Sequence, residues 1–295
     1  MANLKSVTTI RTNIIPVSGG SLDSHRVQRF EFNEQGKELK QINFDHYDQE
    51  DDSVEYRYDA EGRKSAEIFS QGGEVLESKF FFYDEEGKVV SERKEYMAGN
   101  TDTVECEYDE NNKLSVRRLK DDEGDIETIE TFEYENGLLI RQAVYDGTDN
   151  LISEDLYEYN EKNDLASLLR RNTLDEEEHR EVTEYDEKGR KEVIKQYNAA
   201  GNLVERTRYT YDEKDRVTLQ EDEDGHRHSF ISFVYDEKGN IVLQEEHNEK
   251  DELISRVTRT FDEEGRQQDS EVLITNSNYR IPQNYTMTYQ YETYS

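Results

Sequence analysis

The chain has 295 residues, with 37 Lys and Arg against 70 Asp and Glu, a formal net charge of -33 at pH 7. That balance excludes a general nucleic-acid binder and a partner of anionic membrane surfaces, since both need basic side chains. Hydrophobic residues make up only 32% of the chain, yet 20 Tyr and 11 Phe recur at fixed spacing, which excludes a disordered polymer.

In chain order, residues 1–29 come first and read as an N-terminal cap. Met1-Ala2-Asn3-Leu4-Lys5-Ser6 lacks the apolar segment of a secretory signal. No later stretch approaches the roughly 18 apolar residues of a membrane-crossing helix. The expectation is a cytoplasmic protein that contacts no membrane, or an extracellular one if a leader has been removed. A single cysteine, Cys106, allows no internal disulfide.

From residue 30 to residue 266 one phrase returns: aromatic, Asp, Glu, any residue, Gly, basic. It begins at Phe32, Tyr58, Tyr83, Tyr108, Tyr134, Tyr159, Tyr185, Tyr211, Tyr235 and Phe261, ten copies 24 to 26 residues apart. Weaker turn signals lie half a period away, as at Gly72-Gly73, Gly99-Asn100, Gly124, Gly201-Asn202 and Gly225. Each unit therefore reads strand–turn–strand–turn. Large residues two positions before the repeat aromatic, as in Tyr56/Tyr58, Phe132/Tyr134 and Phe233/Tyr235, share one face of a strand. The residues between, such as Arg57, Glu133 and Thr210, belong to the other face.

The turn chemistry agrees with this reading. Asp186 of Tyr185-Asp186-Glu187-Lys188-Gly189 is placed to accept a backbone N–H two residues on, and Gly189 to supply a left-handed backbone. Where the repeat lacks Gly it has Asn112, Asn163 or Asp215, the residues that best tolerate that conformation. Asn136-Gly137 suits a tighter type I′ turn. Pro16 and Pro282 stand outside the repeats, as a continuous ladder requires. The unit from Tyr159 to Tyr185 is least regular, and Leu165–Leu169 with Glu176–Glu178 would also suit a short helix. Residues 267–295 read as a C-terminal cap, with Tyr285-Thr286-Met287-Thr288-Tyr289-Gln290-Tyr291 as a terminal strand.

Tyr58-Asp59-Ala60-Glu61-Gly62-Arg63 and Tyr185-Asp186-Glu187-Lys188-Gly189-Arg190 resemble the YD repeat of the Rhs family, a resemblance that covers roughly residues 30–266. It implies an antiparallel sheet that spirals into a shell, often around a C-terminal toxin. The chain departs from that pattern. Ten repeats are few for a closed cocoon of that kind, no self-cleaving region follows them, and about 35 residues remain after Phe261. Short repeat modules of this sort are also similar to immunity proteins encoded beside toxins and to bacterial surface proteins.

The fold expected is all-β: an elongated, curled antiparallel sheet of about ten units and roughly twenty strands, open at both ends and capped there. Cap strands aside, the protein is expected to be a monomer unless edges pair. The acidic turn clusters Asp121-Asp122-Glu123, Glu176-Glu177-Glu178 and Asp222-Glu223-Asp224 are the candidate surface for a basic protein partner. The plain alternative is a solvated rim that keeps the protein soluble. His226 and His228 lack a third ligand, Asp222–Gly225 lacks the bidentate Glu of a calcium loop, and Cys106 occupies an inward packing position. No cofactor, metal or nucleophile motif is present in the sequence, so a non-enzyme is expected. The function expected is a non-catalytic protein-binding module, most concretely an immunity or neutralising partner of a basic toxin or effector. The alternative is a structural shell, adhesin or surface-assembly component.

Overall fold

The computed structural model describes residues 4–14, 23–275 and 283–294. Pro16 and Pro282 lie outside the described residues. Every regular element is a strand. The first hairpins comprise β1 (Leu4–Asn13), β2 (Ser24–Phe32), β3 (Glu38–Phe44), β4 (Glu50–Tyr58), β5 (Lys64–Gln71), β6 (Glu74–Tyr83), β7 (Val89–Tyr96) and β8 (Thr101–Tyr108). The middle of the chain adds β9 (Leu114–Lys120), β10 (Ile126–Glu135), β11 (Leu138–Asp146), β12 (Leu151–Tyr159), β13 (Leu165–Asn172), β14 (Glu177–Tyr185) and β15 (Lys191–Asn198). The last are β16 (Leu203–Tyr211), β17 (Val217–Asp224), β18 (His228–Tyr235), β19 (Ile241–Asn248), β20 (Leu253–Phe261), β21 (Gln267–Ile274) and β22 (Gln283–Thr293). The helix considered for Leu165–Leu169 is not formed: those residues lie in β13, whose alternating side chains match the neighbouring strands.

Each strand pairs antiparallel with the next, and β22 returns to pair with β1 from Leu4↔Thr293 to Asn13↔Tyr285. The sheet is a closed 22-strand barrel. This corrects the open, capped array. The segments expected to cover two edges instead pair with each other, and no edge is left. The physical cause lies in the repeat itself. Every repeat aromatic coincides with a register shift, for example between Glu184 and Tyr185 opposite Lys191, so each hairpin bends by the same device. Bulges add twist and bend, and a sheet far beyond about ten strands curls rather than staying open. Unpaired edges are a liability that closure removes.

The barrel is hollow. Twenty-two strands about 4.8 Å apart give a perimeter of at least roughly 106 Å, hence a diameter near 34 Å for a circular section. The accessible surface is 18688 Å² for a 34.9 kDa chain, against about 13,000 Å² for a compact protein of that mass. Buried hydrophobic side chains among the described residues reduce to Ile42, Ala66, Ala143, Leu168 and Val193. A wall one sheet thick, wet on both faces, accounts for all three observations.

The two faces are distinguishable. On a convex wall side chains diverge, and on a concave one they converge. The residue before the repeat aromatic is exposed at Arg57, Phe82, Glu107, Glu133, Glu158, Glu184, Thr210, Val234 and Thr260, whereas the aromatic beside it is half-buried. The tyrosines therefore face the lumen. Barrel closure also overturns the cytoplasmic expectation. That expectation rested on the lack of a long apolar run, a test that detects helices. Barrels cross bilayers with strands, and outer-membrane barrels reach this strand number, so the lack of a long apolar run no longer supports a cytoplasmic location. The absence of a membrane-length apolar helix among the described residues is silent on this point.

Candidate functional site

The repeat phrase builds one rim of the barrel, here called the repeat rim. In the unit at Tyr185, the Asp186 N–H donates to the Arg190 carbonyl and the Gly189 N–H to the Asp186 carbonyl, each at 2.9 Å. Asp186 Oδ1 accepts the N–H groups of Lys188 and Arg190, both at 2.9 Å. Gly189 has φ +81°. Arg190 then reaches forward, its guanidinium 4.3 Å from the ring centre of Tyr211 in the next unit. The Tyr211 hydroxyl donates at 2.6 Å to the Lys191 carbonyl, beside the bulge.

This clasp recurs around the rim. Basic side chains lie over the next ring at Lys37/Tyr58, Arg63/Tyr83, Lys88/Tyr108, Lys113/Tyr134, Arg216/Tyr235 and Arg266/Tyr291. The hydroxyls of Tyr58, Tyr83, Tyr108, Tyr134, Tyr159, Tyr185 and Tyr235 donate to carbonyls 18 to 20 residues earlier. Tyr291 serves Gln267 and Tyr294 serves Phe32, which carries the ladder across the closure. The Arg190 side chain, followed by its backbone N–H, holds the Asp186 carboxyl below the usual carboxylate range. Burial pushes the hydroxyls of Tyr83, Tyr108, Tyr134, Tyr185, Tyr211 and Tyr291 up.

The three acidic clusters all lie on the opposite, far rim. Asp121 caps its turn by accepting the Glu123 and Asp125 N–H groups, leaving Asp122 and Glu123 exposed. Glu176 has a left-handed backbone at φ 55°, Glu178 pairs with Arg171 at 2.9 Å, and Glu177 is exposed. Asp222 accepts the Thr207 hydroxyl at 2.8 Å, Glu223 pairs with Arg206, and Asp224 caps the His226 and Arg227 N–H groups. Successive clusters are separated by four strands, so the wall does not gather them into one site. Much of their charge is engaged in holding turns and strand pairs.

The lumenal face carries what sequence reasoning did not isolate. Lumenal charges pair between β6 and β11: Lys79–Glu92 at 2.8 Å, Glu92–Arg117 at 3.5 Å, Arg117–Glu130 at 3.1 Å, and Gln142 donating to Glu130 at 2.6 Å. Cys106 sits under this chain, and burial pushes its thiol up, so it is no activated nucleophile. From β14 to β19 the balance changes. Glu181, Glu205, Asp222 and Glu246 share the face of Tyr185, Tyr209, Tyr211 and Phe233. Arg227, from the far rim, is the basic side chain that pairs with one of them, Glu246. An open cleft of about 720 Å³ lies at the far-rim end of this sector, lined by Glu223, Asp224, His226, His228, Glu246 and Asn248 among others. Glu181 could be read in the sequence as lying on the face of Tyr185, four residues before it, whereas Asp222 and Glu246 lie on return strands whose face only the pairing reveals. Only strand register reveals which of those carboxylates lack a basic neighbour.

No protein-family model matches the chain, and no characterised protein matches it in sequence. Among solved structures it is similar to a porin-like protein from Bacteroides uniformis at 11% identity, covering 99% of this chain and 98% of that one, TM-score 0.30. A porin-like protein from Bacteroides vulgatus is similar at 12% identity, covering 99% of both chains, TM-score 0.26. A chain of the TcdB2-TccC3-Cdc42 structure is similar at 11% identity over 98% of this chain and 23% of that chain, TM-score 0.23.

The outward face is also charged. Glu133–Arg141–Glu154–Arg171–Glu178 form a continuous chain of ion pairs across β10 to β14, with contacts of 2.7 to 3.1 Å. A lipid-embedded barrel instead presents an apolar band about 25 Å tall. Among the described residues no three metal-capable side chains converge, and His228 is turned to Glu221 at 2.8 Å.

Proposed function

We propose that the protein is a non-catalytic barrel that binds a basic polypeptide through its lumenal wall. The observation that carries this reading is the sector from β14 to β19, where Glu181, Glu205, Asp222 and Glu246 stand beside half-buried tyrosine and phenylalanine rings around a hollow interior. Carboxylates attract ammonium and guanidinium groups, and aromatic faces hold the same cations. A solvent-filled lumen leaves both accessible. The net charge of -33 adds long-range attraction for the same class of partner. A toxin or effector of basic character would suit such a wall, as the resemblance to YD repeats implies.

The test uses a fluorescent poly-lysine chain as probe, with the combined variant Glu181→Gln, Glu205→Gln, Asp222→Asn and Glu246→Gln. The control removes equal charge from the repeat rim: Glu187→Gln, Glu213→Gln, Glu237→Gln and Glu263→Gln. The lumenal variant is expected to bind at least tenfold more weakly, and the rim variant to lose threefold or less. Equal losses in both would mean that total charge, not the lumenal sector, binds the probe.

A further inference from the structure

The two rims differ in a way the repeat phrase conceals. At the repeat rim the first residue after the capping Asp or Asn is Glu in eight of the nine turns that have such a cap: 34, 85, 110, 161, 187, 213, 237 and 263. Large apolar side chains are absent from those turn tips, and the tips are tied into the clasp. The far rim carries exposed apolar side chains in its turns, Tyr47 at 72% exposure, Met97 at 65% and Leu174 at 73%, and at the strand starts beside them, Val75, Ile126 and Leu203, whereas at the repeat rim the exposed Phe82, Val90 and Val234 stand in the strands and not at the tips. Of these, Tyr47, Val75, Met97 and Ile126 come from four successive connections, which stand about 10 Å apart along the wall. Asp122, Glu123 and Glu177 are exposed on the same rim.

We infer that the far rim is the docking end of the barrel, and that its occupant is a basic protein presenting apolar side chains between its cations. This rests on the proposed binding of a basic polypeptide and adds where and through what the partner is held. Isolated exposed apolar residues are ordinary, but four of them beside successive connections, about 10 Å apart, match the reach of one extended partner that sets apolar side chains between its cations. Charge selects the occupant. A second copy would bring another net charge of -33 against the first, and an anionic lipid surface would be repelled likewise. A cationic partner with apolar side chains satisfies both components. The cleft lined by Glu223, Asp224, His226 and Glu246 opens at this same end and joins the rim to the lumenal carboxylates.

The experiment compares two probes of equal length, poly-lysine and a peptide of alternating Lys and Leu, on the full chain and on the variant Tyr47→Ser, Met97→Ser, Leu174→Ser. All three side chains are exposed, so the barrel is left intact, which circular dichroism checks. The variant is expected to bind the Lys/Leu peptide at least tenfold more weakly, while its affinity for poly-lysine stays within twofold of the parent. Unchanged affinity for the Lys/Leu peptide overturns the inference. So does a parent dimer that the variant dissolves, which makes a second copy the occupant. Flotation of the parent but not the variant with phosphatidylcholine vesicles would make lipid the occupant and overturn it too. Failure of poly-lysine to bind the parent at all removes the basic-polypeptide reading itself, and this inference with it.

Discussion

At the scale of single residues, the repeat phrase is a set of contacts that each repeat makes with the next. Tyr211 shows what each atom contributes: its ring carries Arg190 and its hydroxyl donates to the Lys191 carbonyl beside the bulge. Tyr211→Phe keeps the ring and removes the hydrogen bond, and is expected to destabilise by about 1 kcal/mol in urea denaturation. Thr210→Ala, on the opposite face, should change stability by about half a kcal/mol or less. The same hydroxyls set an alkaline limit. Burial raises the pKa of Tyr83, Tyr108, Tyr134, Tyr185, Tyr211 and Tyr291 above the ordinary 10.0, and the hydrogen bond to Asp102 pushes Tyr96 up to about 12. A group with a raised folded pKa contributes stability fully present below its unfolded pKa and lost as pH rises through the folded one. The denaturation midpoint is therefore expected to hold up to pH 10 and to fall above it, in step with tyrosinate absorbance. A midpoint that began to fall well below pH 10 would show that the tyrosine hydroxyls do not set this limit.

At the scale of the strand and its turn, most of the structure was legible. The positions occupied by Gly, Asn or Asp, such as Gly189, Asn112, Asn163 and Asp215, all adopt φ between 62° and 92°, because the bulge after a type I turn needs a left-handed residue there. Asn136 and Gly137, with φ of 50° and 86°, form the tighter turn expected of the shorter copy. A Cβ added to Gly189 meets nothing within 4 Å. The penalty for Gly189→Val is thus backbone strain alone, about 1–2 kcal/mol, while Gly189→Asn should lie within a few tenths of the parent. Equal midpoints for the two variants would contradict the turn assignment. What could not be read was the pairing across strands. Glu130 and Glu181 occupy the same place in their repeats, yet Glu130 meets Arg117 at 3.1 Å, whereas Glu181 lies opposite Gln196. Which carboxylate is neutralised depends on residues 13 or more positions away, set by register.

At the scale of the molecule, the step the sequence did not reveal is closure, because the pairing that makes it joins the two segments without the repeat phrase. Lys5-Ser6-Val7-Thr8-Thr9-Ile10 contains neither the aromatic nor the capping Asp, and it reads as a cap. In the barrel Val7 lies opposite both Phe30 and Tyr291, and Thr9 opposite Gln28 and Tyr289, so β1 continues the lumenal face unbroken. On the opposite face Ser6, at 1% exposure, lies between Glu31 and Glu292 and donates to Glu292 at 2.8 Å.

Closure also makes stability depend on its last strand more than on any single repeat. Removing residues 283–295 would delete β22, the Tyr291 and Tyr294 hydrogen bonds, and the contact of Arg29 with Glu292 at 3.2 Å. Two strands, β1 and β21, would then each offer a free edge of N–H and C=O groups. A free edge is a template for further strands, and charge alone opposes it, more weakly as salt rises. The truncated chain is therefore expected to stay β-rich but to leave the monomer position on size-exclusion chromatography with light scattering, and to do so more completely at 0.5 M than at 0.05 M NaCl. Removing repeat contacts without opening the ring, as in Tyr211→Phe, should lower the midpoint and leave the monomer intact. A truncated chain that remained monomeric at both salt concentrations would show that β1 and β21 can protect their own edges, and that the seam is not what keeps the barrel closed.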